Sequence, residues 1–294
     1  MTATIAAPFT TTKPRISPWY DAWQRYRQHR LAVIGGISAI IILLVALLAP
    51  LIAPYSYVSS NLSATLQPPS PQHLLGTDAI GRDLLSRLIY GTRTSMTVGF
   101  FVPTIAVVVG LPIGAAAGWL GGWVDVIVQR LVEAMTAIPT ILLALLLVTL
   151  YGSGLRNVTL FLGLAGWLGF ARLVRAQFLT LREREFVKAA QALGTPSWRI
   201  ILFHILPNAA GPLAVLFVLS IPGAVFGEAG LSFLGLGVQD PLPSWGKMIA
   251  DNASYVQLDP LLVLLPVLCI IITVLSFSFV GDGLRDALDP TANL

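Results

Sequence analysis

Six stretches of the chain run without Asp, Glu, Lys or Arg for long enough to suggest membrane spans. They are Leu31–Pro54, Thr94–Val124, Ala134–Leu155, Asn157–Ala171, Ile200–Gly227 and Pro260–Gly281. A helix crossing a hydrocarbon core of ~30 Å needs about 20 apolar residues, each rising about 1.5 Å. Five stretches meet that length, with Ser95–Gly118 taken as the span of the second. The fourth reaches it only if Arg172 and Arg175 extend it and snorkel toward the headgroups. Pro103, Pro112, Pro139, Pro212, Pro222 and Pro266 lie in or near these spans. A bundle tolerates them, because neighbouring helices can satisfy the carbonyls they free.

Two further patterns predict helices between the spans. Leu84, Leu85, Leu88 and Ile89 recur at helical spacing opposite Arg82, Asp83, Ser86, Arg87 and Thr92. That predicts a short helix at the membrane surface, with Thr77 or Asp78 as its N-cap. Between the fourth and fifth spans, Phe186, Ala189, Ala190 and Leu193 share a helical face within Glu183–Leu193. Gly194 ends that helix as a C′ glycine. Thr195 and Pro196 restart a second helix, with Thr195 as its cap, which Trp198, Ile201, Leu202 and Ile205 carry to Pro207.

The segment Glu228–Asp259 is rich in Gly, Leu and Phe and would be costly if fully wet. It is expected to fold back over the mouth of the bundle, with Trp245 at the interface. Trp19, Trp23 and Tyr26 recur on one face ahead of the first span, as an interfacial anchor would. The small residues Ala49 and Ala53 and the basic run Arg25–Arg30 suggest a signal peptide, but the apolar run is too long and is preceded by some thirty residues.

Composition agrees with the pattern. Of 294 residues, 55% are hydrophobic and 11% charged, against roughly 25% charged in soluble domains. Lys and Arg placement sets the orientation. Thirteen of the 18 basic residues fall on one side if the N-terminus is cytoplasmic: Lys13, Arg15, Arg25, Arg27, Arg30, Arg130, Arg172, Arg175, Arg182, Arg184, Lys188, Arg199 and Arg285. Arg82, Arg87, Arg93, Arg156 and Lys247 fall on the other. Both termini are therefore expected in the cytoplasm. The net charge of +4 is orientation chemistry, and nucleic acid is not an expected partner.

The chemistry that is missing narrows the function. Cys269 is alone, so no disulfide or cysteine metal site is available. Lys13, Lys188 and Lys247 close no phosphate loop, and His29, His73 and His204 form no zinc helix. No ionisable residue lies at the centre of a predicted span, where a proton relay would need one, and no internal repeat stands out. The expectation is a pathway powered from outside the chain, with a stand-alone secondary carrier or channel as the alternative. A membrane enzyme would need a polar catalytic cluster, and none is legible.

Glu185-Phe186-Val187-Lys188-Ala189-Ala190-Gln191-Ala192-Leu193-Gly194, followed by Ile205-Leu206-Pro207-Asn208, resembles the EAA loop of permeases in binding-protein-dependent ABC importers. Three further stretches are similar to the C-type permeases of dipeptide, oligopeptide and nickel importers: Leu75–Asp83, Glu228–Gly237 and Asp282–Pro290. The resemblance runs from about Tyr20 to Pro290. Lys188 stands where the general motif has Glu, and His204 where it has Ile.

The resemblance implies an all-α integral membrane protein with the six-helix type I importer fold. Its parts would be a cytoplasmic tail with an interfacial segment (1–30), a first transmembrane helix (31–54) and an extracytoplasmic segment (55–93). A core permease domain (94–281) would follow, carrying a coupling loop (181–208) and an extracytoplasmic loop (228–259), before a cytoplasmic tail (282–294).

It implies a permease subunit in a prokaryotic cell membrane, moving small peptides or alternatively a nickel chelate, haem or another small solute. A second homologous permease, two ATPase subunits or one fused ATPase chain, an extracytoplasmic binding protein and membrane lipid would be its partners. The chain itself would hold no cofactor, ATP and Mg being bound by the ATPases. Glu185, Phe186, Lys188, Ala189, Ala190, Leu193, Gly194, Trp198, Arg199, Leu206 and Pro207 would couple to the ATPase. Gly76, Asp78, Arg82, Asp83, Asp240, Trp245 and Lys247 would form a gate or meet the binding protein.

Overall fold

A computed structural model describes residues 18–288; Lys13 and Arg15 of the basic tally and Pro290 lie outside that range. Among the described residues the chain is helical. Its elements are α1 (Pro18–Gln28), α2 (Arg30–Ile52), α3 (Leu84–Leu120), α4 (Gly122–Thr136), α5 (Thr140–Tyr151) and α6 (Leu155–Arg182). After them come α7 (Glu185–Ala192), α8 (Ser197–Ile200), α9 (Leu206–Phe233), α10 (Trp245–Asn252) and α11 (Leu261–Leu288). Five continuous helices are long and apolar enough to cross a membrane: α2, α3, α6, the run Ser197–Phe233, and α11.

The apolar run Ala134–Leu155 is not one helix. It breaks at Ala137–Pro139, and α4 and α5 meet at a bend of 81°. Pro139 has no N–H to continue the ladder and biases Ile138 away from helical geometry. The 12 residues of α5 reach only ~18 Å, too short to span alone.

The short surface helix expected at Leu84 is instead the opening of α3, which runs unbroken for 37 residues. Leu84 and Leu88 are buried with Trp245 and Met248 beneath α10, not laid on a membrane surface. Thr77 and Asp78 do not cap it. A backbone bridge between Thr77 and Asp83 closes the segment into a turn, so the helix begins one residue after Asp83. The Asp83 carboxylate then accepts from the Ser86 N–H at 2.8 Å.

Two later helices overrun their expected ends. The fifth continues through Glu228 to Phe233, and α11 continues through Asp282 and Arg285 to Leu288. Arg172 and Arg175 find partners within the bundle. The Arg172 guanidinium donates to Thr136 Oγ1, and Arg175 grips the Asp125 carboxylate, both partners lying on α4.

α3 packs along α6 and also meets α2 and α9; α11 closes the bundle against α2 and α9. The α3–α6 seam is close because glycines face it. A Cβ on Gly110 would lie 2.7 Å from the Trp167 carbonyl oxygen, and one on Gly118 would lie 2.6 Å from Phe178 Cβ. Such small-residue approach drives helix association in lipid, where the hydrophobic effect is absent. Ahead of the bundle, Trp23 stacks on Tyr26 at 6.0 Å, and Tyr26 Oη donates to the Ala32 carbonyl at 2.9 Å. Trp23 stays exposed, while the side chain of Trp19 lies outside the described set.

Candidate functional site

Two groups of residues singled out in the sequence come together at opposite ends of the bundle. At one end, α7 is a two-turn amphipathic helix between α6 and the long helical run Ser197–Phe233. Its inward face is Val187 and Ala190, packed with Val174 and Phe178 of α6 and with Ile200 and Ile205. The outward face is Phe186, Ala189 and Leu193, with Leu193 86% exposed. The expected single face of Phe186, Ala189, Ala190 and Leu193 is therefore split, because burial follows Val187 and Ala190 three positions apart.

Gly194 turns the chain at φ +74 with nothing within 4 Å of its would-be Cβ. Its N–H donates to the Gln191 carbonyl at 2.9 Å. Thr195 does not cap the next helix. Its own N–H closes the turn on Ala190, and Pro196 holds the N-cap position without a side-chain bond. Trp198, Arg199, Leu202 and Phe203 are exposed beyond it, and Arg199 lies 5.3 Å over the Trp198 ring.

Pro207 leaves its mark one turn earlier. With no N–H at Pro207 and its ring set against the Phe203 carbonyl, residues Ile201–Ile205 widen into a π-helical turn. Leu206 then bonds back to the Ile201 carbonyl. Lys188 Nζ reaches Glu183 Oε2 at 3.1 Å. That hydrogen bond first, and then the ammonium charge, hold the Glu183 carboxyl below its usual range. Glu185 is exposed in the first turn of α7.

At the other end, the turn Thr77–Asp83 and the helix α10 meet in an ion-pair network. Arg82 Nε lies 2.6 Å from Asp78 Oδ2, and the Asp78 carboxylate also accepts the N–H groups of Ile80 and Arg82 at 3.0 and 2.9 Å. Arg82 reaches Asp240 at 3.4 Å; Lys247 reaches Asp240 at 3.3 Å and Asp251 at 3.0 Å. Burial acts to raise the Asp240 carboxyl, but Lys247 and Arg82 outweigh it and hold that group below its usual range.

Two members went unnoticed in the sequence. Arg87 is 1% exposed and lies 3.6 Å from Asp78 and 3.9 Å from Asp251. Asp251 closes the circuit from α10. An arginine on a polar helix face carries no local sign of burial; only the packing of α10 over it creates one.

Asp83 stands apart from this network: His73 Nδ1 sits 2.9 Å from it, and Ser86 occupies its other oxygen. Gly76 and Gly81 let the turn pass close to the backbone of Gln67 and Asn61. Trp245, expected at the interface, is 1% exposed. Its ring is packed against Gly91, and its backbone N–H donates to Ser95 Oγ at 3.2 Å. The α10 helix has folded back onto α3, α9 and α11 and sealed the indole.

Glu228, at the margin of the predicted fifth span, is fully buried within α9. It accepts the hydroxyls of Ser232 and Ser244 at 2.6 Å each, so α10 is pinned to α9 at its own N-cap.

A bundle of apolar helices with an exposed helix–turn–helix at one end and a salt-bridged cap at the other defines the class as a multi-pass membrane protein. Residues 110–293 match the family of the binding-protein-dependent transport system inner membrane component, and residues 17–69 match the N-terminal transmembrane domain of oligopeptide transport permease C. The chain belongs to that inner-membrane family, the transmembrane permease subunits of bacterial ATP-binding-cassette importers.

It is 43% identical over 275 residues to the dipeptide transport system permease protein DppC of Alkalihalophilus pseudofirmus, covering 94% of this chain and 90% of that one. Identity to the oligopeptide transport system permease protein OppC of Bacillus subtilis is 39%, covering 95% and 92%. The glutathione transport system permease protein GsiD of Shigella dysenteriae is 37% identical, with 93% and 91% covered.

Among solved structures, the MetNI methionine ABC transporter in an inward-facing conformation aligns with a TM-score of 0.57 at 20% identity. That alignment covers 69% of this chain and 97% of the other, and it speaks to the fold alone.

Proposed function

We propose that this chain forms half of the path by which a bacterial importer takes up short peptides, and that α7 receives the force of ATP hydrolysis. The supporting observation is the two-sided construction of α7. Phe186, Ala189 and Leu193 are left bare, while Val187 and Ala190 anchor the same helix to α6. A contiguous apolar face on a polar loop marks a protein interaction surface.

The anchored back face turns a push on α7 into a movement of α6 and of the long helix beginning at Ser197. Two ATPase subunits, or one fused ATPase chain, would hold ATP and Mg and seat α7 together with Gly194, Trp198 and Arg199. In this reading α4 and α5 together make one bent span, giving six with both termini cytoplasmic, as the Lys and Arg asymmetry supports.

A second permease completes the path, and a binding protein delivers cargo at the end capped by Arg82, Asp240 and Lys247. Peptide cargo is favoured by relatives named for dipeptide, oligopeptide and glutathione transport. ATP-driven closure of the ATPases then shifts the bundle between two global states, a ligand-biased switch between distinct sites.

The test is to purify the tagged chain in mild detergent, identify its companions and measure ATPase activity, with Gly194→Trp alongside. A second permease and an ATPase should co-purify, and the bulky residue should release the ATPase. A chain that purifies alone and moves solute into liposomes without ATP would overturn the reading in favour of a carrier.

A further inference from the structure

On the proposed extracytoplasmic side five basic residues are described, and three of them, Arg82, Arg87 and Lys247, are consumed by the ion-pair network. Arg93 and Arg156 are different. Both are exposed, and among the described residues neither side chain makes a hydrogen bond or ion pair. Arg93 lines a cavity of about 150 Å³ together with Tyr57, Tyr90, Thr94, Thr97, Leu155, Leu242 and Pro243. Arg156 follows Leu155 directly, at the first turn of α6.

The depth of this cavity follows from helix geometry. α3 has 37 residues and is about 55 Å long, some 25 Å more than a hydrocarbon core of ~30 Å. Arg93 lies nine residues, about 14 Å, from the start of α3 at Leu84, which places it near the boundary between water and membrane. The outward stripe of α3 continues inward from there through Thr97, Phe101, Thr104 and Val108 at intervals of four, four, three and four. α2, α6 and α9 cover other sides of the helix. The cavity therefore sits at the top of an uncovered, partly polar face.

The walls suit one kind of ligand end. Tyr57 and Tyr90 pack at 4.5 Å between ring centroids and offer flat amphipathic surface. Leu155, Leu242 and Pro243 are apolar. A planar guanidinium with all its donors unspent matches a carboxylate through two parallel hydrogen bonds. The volume admits about one residue.

We infer that the Tyr57–Tyr90–Arg93 cavity is a recognition site for the C-terminal carboxylate of the incoming peptide at the mouth of the path. This rests on the peptide-importer reading and adds to it a residue that sets which end of the cargo is held.

The test uses the assembled complex in proteoliposomes, with saturating peptide-loaded binding protein and ATP. The first measurement is uptake of trialanine by wild type, Arg93→Gln and Arg93→Lys. Uptake should fall about tenfold in Arg93→Gln, with Arg93→Lys intermediate because it keeps the charge and loses the fork. ATPase stimulation by the loaded binding protein should be unchanged in both. The second is labelling of Thr97→Cys by a tripeptide carrying a maleimide on its C-terminal or its N-terminal residue. The C-terminal probe should label at least fivefold faster, and that preference should disappear when Arg93→Gln is added.

Full uptake by Arg93→Gln, or equal labelling by the two probes, would overturn the site. Loss of ATPase stimulation would reassign Arg93 to binding-protein docking and overturn it as well. A wild-type complex that imports no peptide at all would instead refute the peptide-importer reading.

Discussion

The guanidinium of Arg175 on α6 holds both carboxylate oxygens of Asp125 on α4, with Nη2 2.6 Å from Oδ2. Each side chain is less than one-third exposed, so the pair is screened less than a surface bridge. Its effect is to tie the first half of the bent pair to the core of the bundle, where α4 otherwise has little contact. Hydrogen bonds to charged groups contribute about 1.5–3 kcal/mol, and Asp125→Ala should cost about that much. Thermal unfolding in detergent should show a lower midpoint for Asp125→Ala and for Arg175→Ala. The double variant should lose much less than the sum of the two single losses, as coupled partners require.

The network of Asp78, Arg82, Arg87, Asp240, Lys247 and Asp251 predicts unequal costs for its aspartates. Removing the Asp78 carboxylate leaves Arg82 and Arg87 buried with a lost partner, which costs about 3–5 kcal/mol. Asp78→Ala should therefore fold poorly or lose most of its yield of monodisperse protein. Asp240 is 67% exposed, and Asp240→Asn should cost less than about 1 kcal/mol.

The Asp240 contribution has a pH sign. Its carboxyl is held below the usual range by Lys247 and Arg82, against the opposing effect of burial. A depressed folded-state pKa contributes stability above the unfolded value of about 3.9 and loses it as pH falls through the folded one. The midpoint difference between wild type and Asp240→Asn should be constant from pH 8 to about 5. It should close as the pH drops below about 4.

The two faces of α7 should separate stability from partnership. Phe186→Ser and Leu193→Ser alter exposed positions and should change stability by no more than about 0.5 kcal/mol. The amount of co-purifying ATPase should nonetheless fall severalfold. Val187→Asp places a charge against Phe178 and Ile205, and is expected to abolish folded protein. If Leu193→Ser retained its ATPase in full, the exposed face would not be the docking face.

The α3–α6 seam admits no side-chain atoms at Gly114. A Cβ there would press on the Ala171 carbonyl oxygen and come within 2.8 Å of Val174 Cβ. Because backbone is on the receiving side, the helices must separate, and overpacking of this kind costs about 1–3 kcal/mol. Gly114→Val should lower the unfolding midpoint far more than the same change at Gly169, whose Cβ would meet nothing within 4 Å.

Much of this protein was legible before any coordinates. Uninterrupted apolar runs exposed the membrane helices, because burying the backbone in lipid leaves helix as the only open-chain solution. The glycine turn at Gly194 was legible too, since a left-handed residue after an amphipathic helix calls for glycine. Asp78 and Arg82 came forward through motif resemblance, while Asp240 and Lys247 stood out only as charged residues of a later loop.

What it could not determine were relations set by neighbours far along the chain. Nothing local says that Arg87 is buried, that Trp245 is sealed against Gly91, or that Glu228 accepts the Ser244 hydroxyl. Each depends on α10 folding back across α3 and α9. The same holds for Arg172 and Arg175, which look like snorkelling residues until α4 supplies Thr136 and Asp125. The faces of α7 were misjudged because a two-turn helix has room for two readings of its apolar stripe. Only the packing of Val187 and Ala190 on α6 decides which is inside. Hydrophobic periodicity is a one-dimensional signal and specifies that a face is buried; which partner buries it, and which charge finds its counter-charge, is decided by distance in three dimensions.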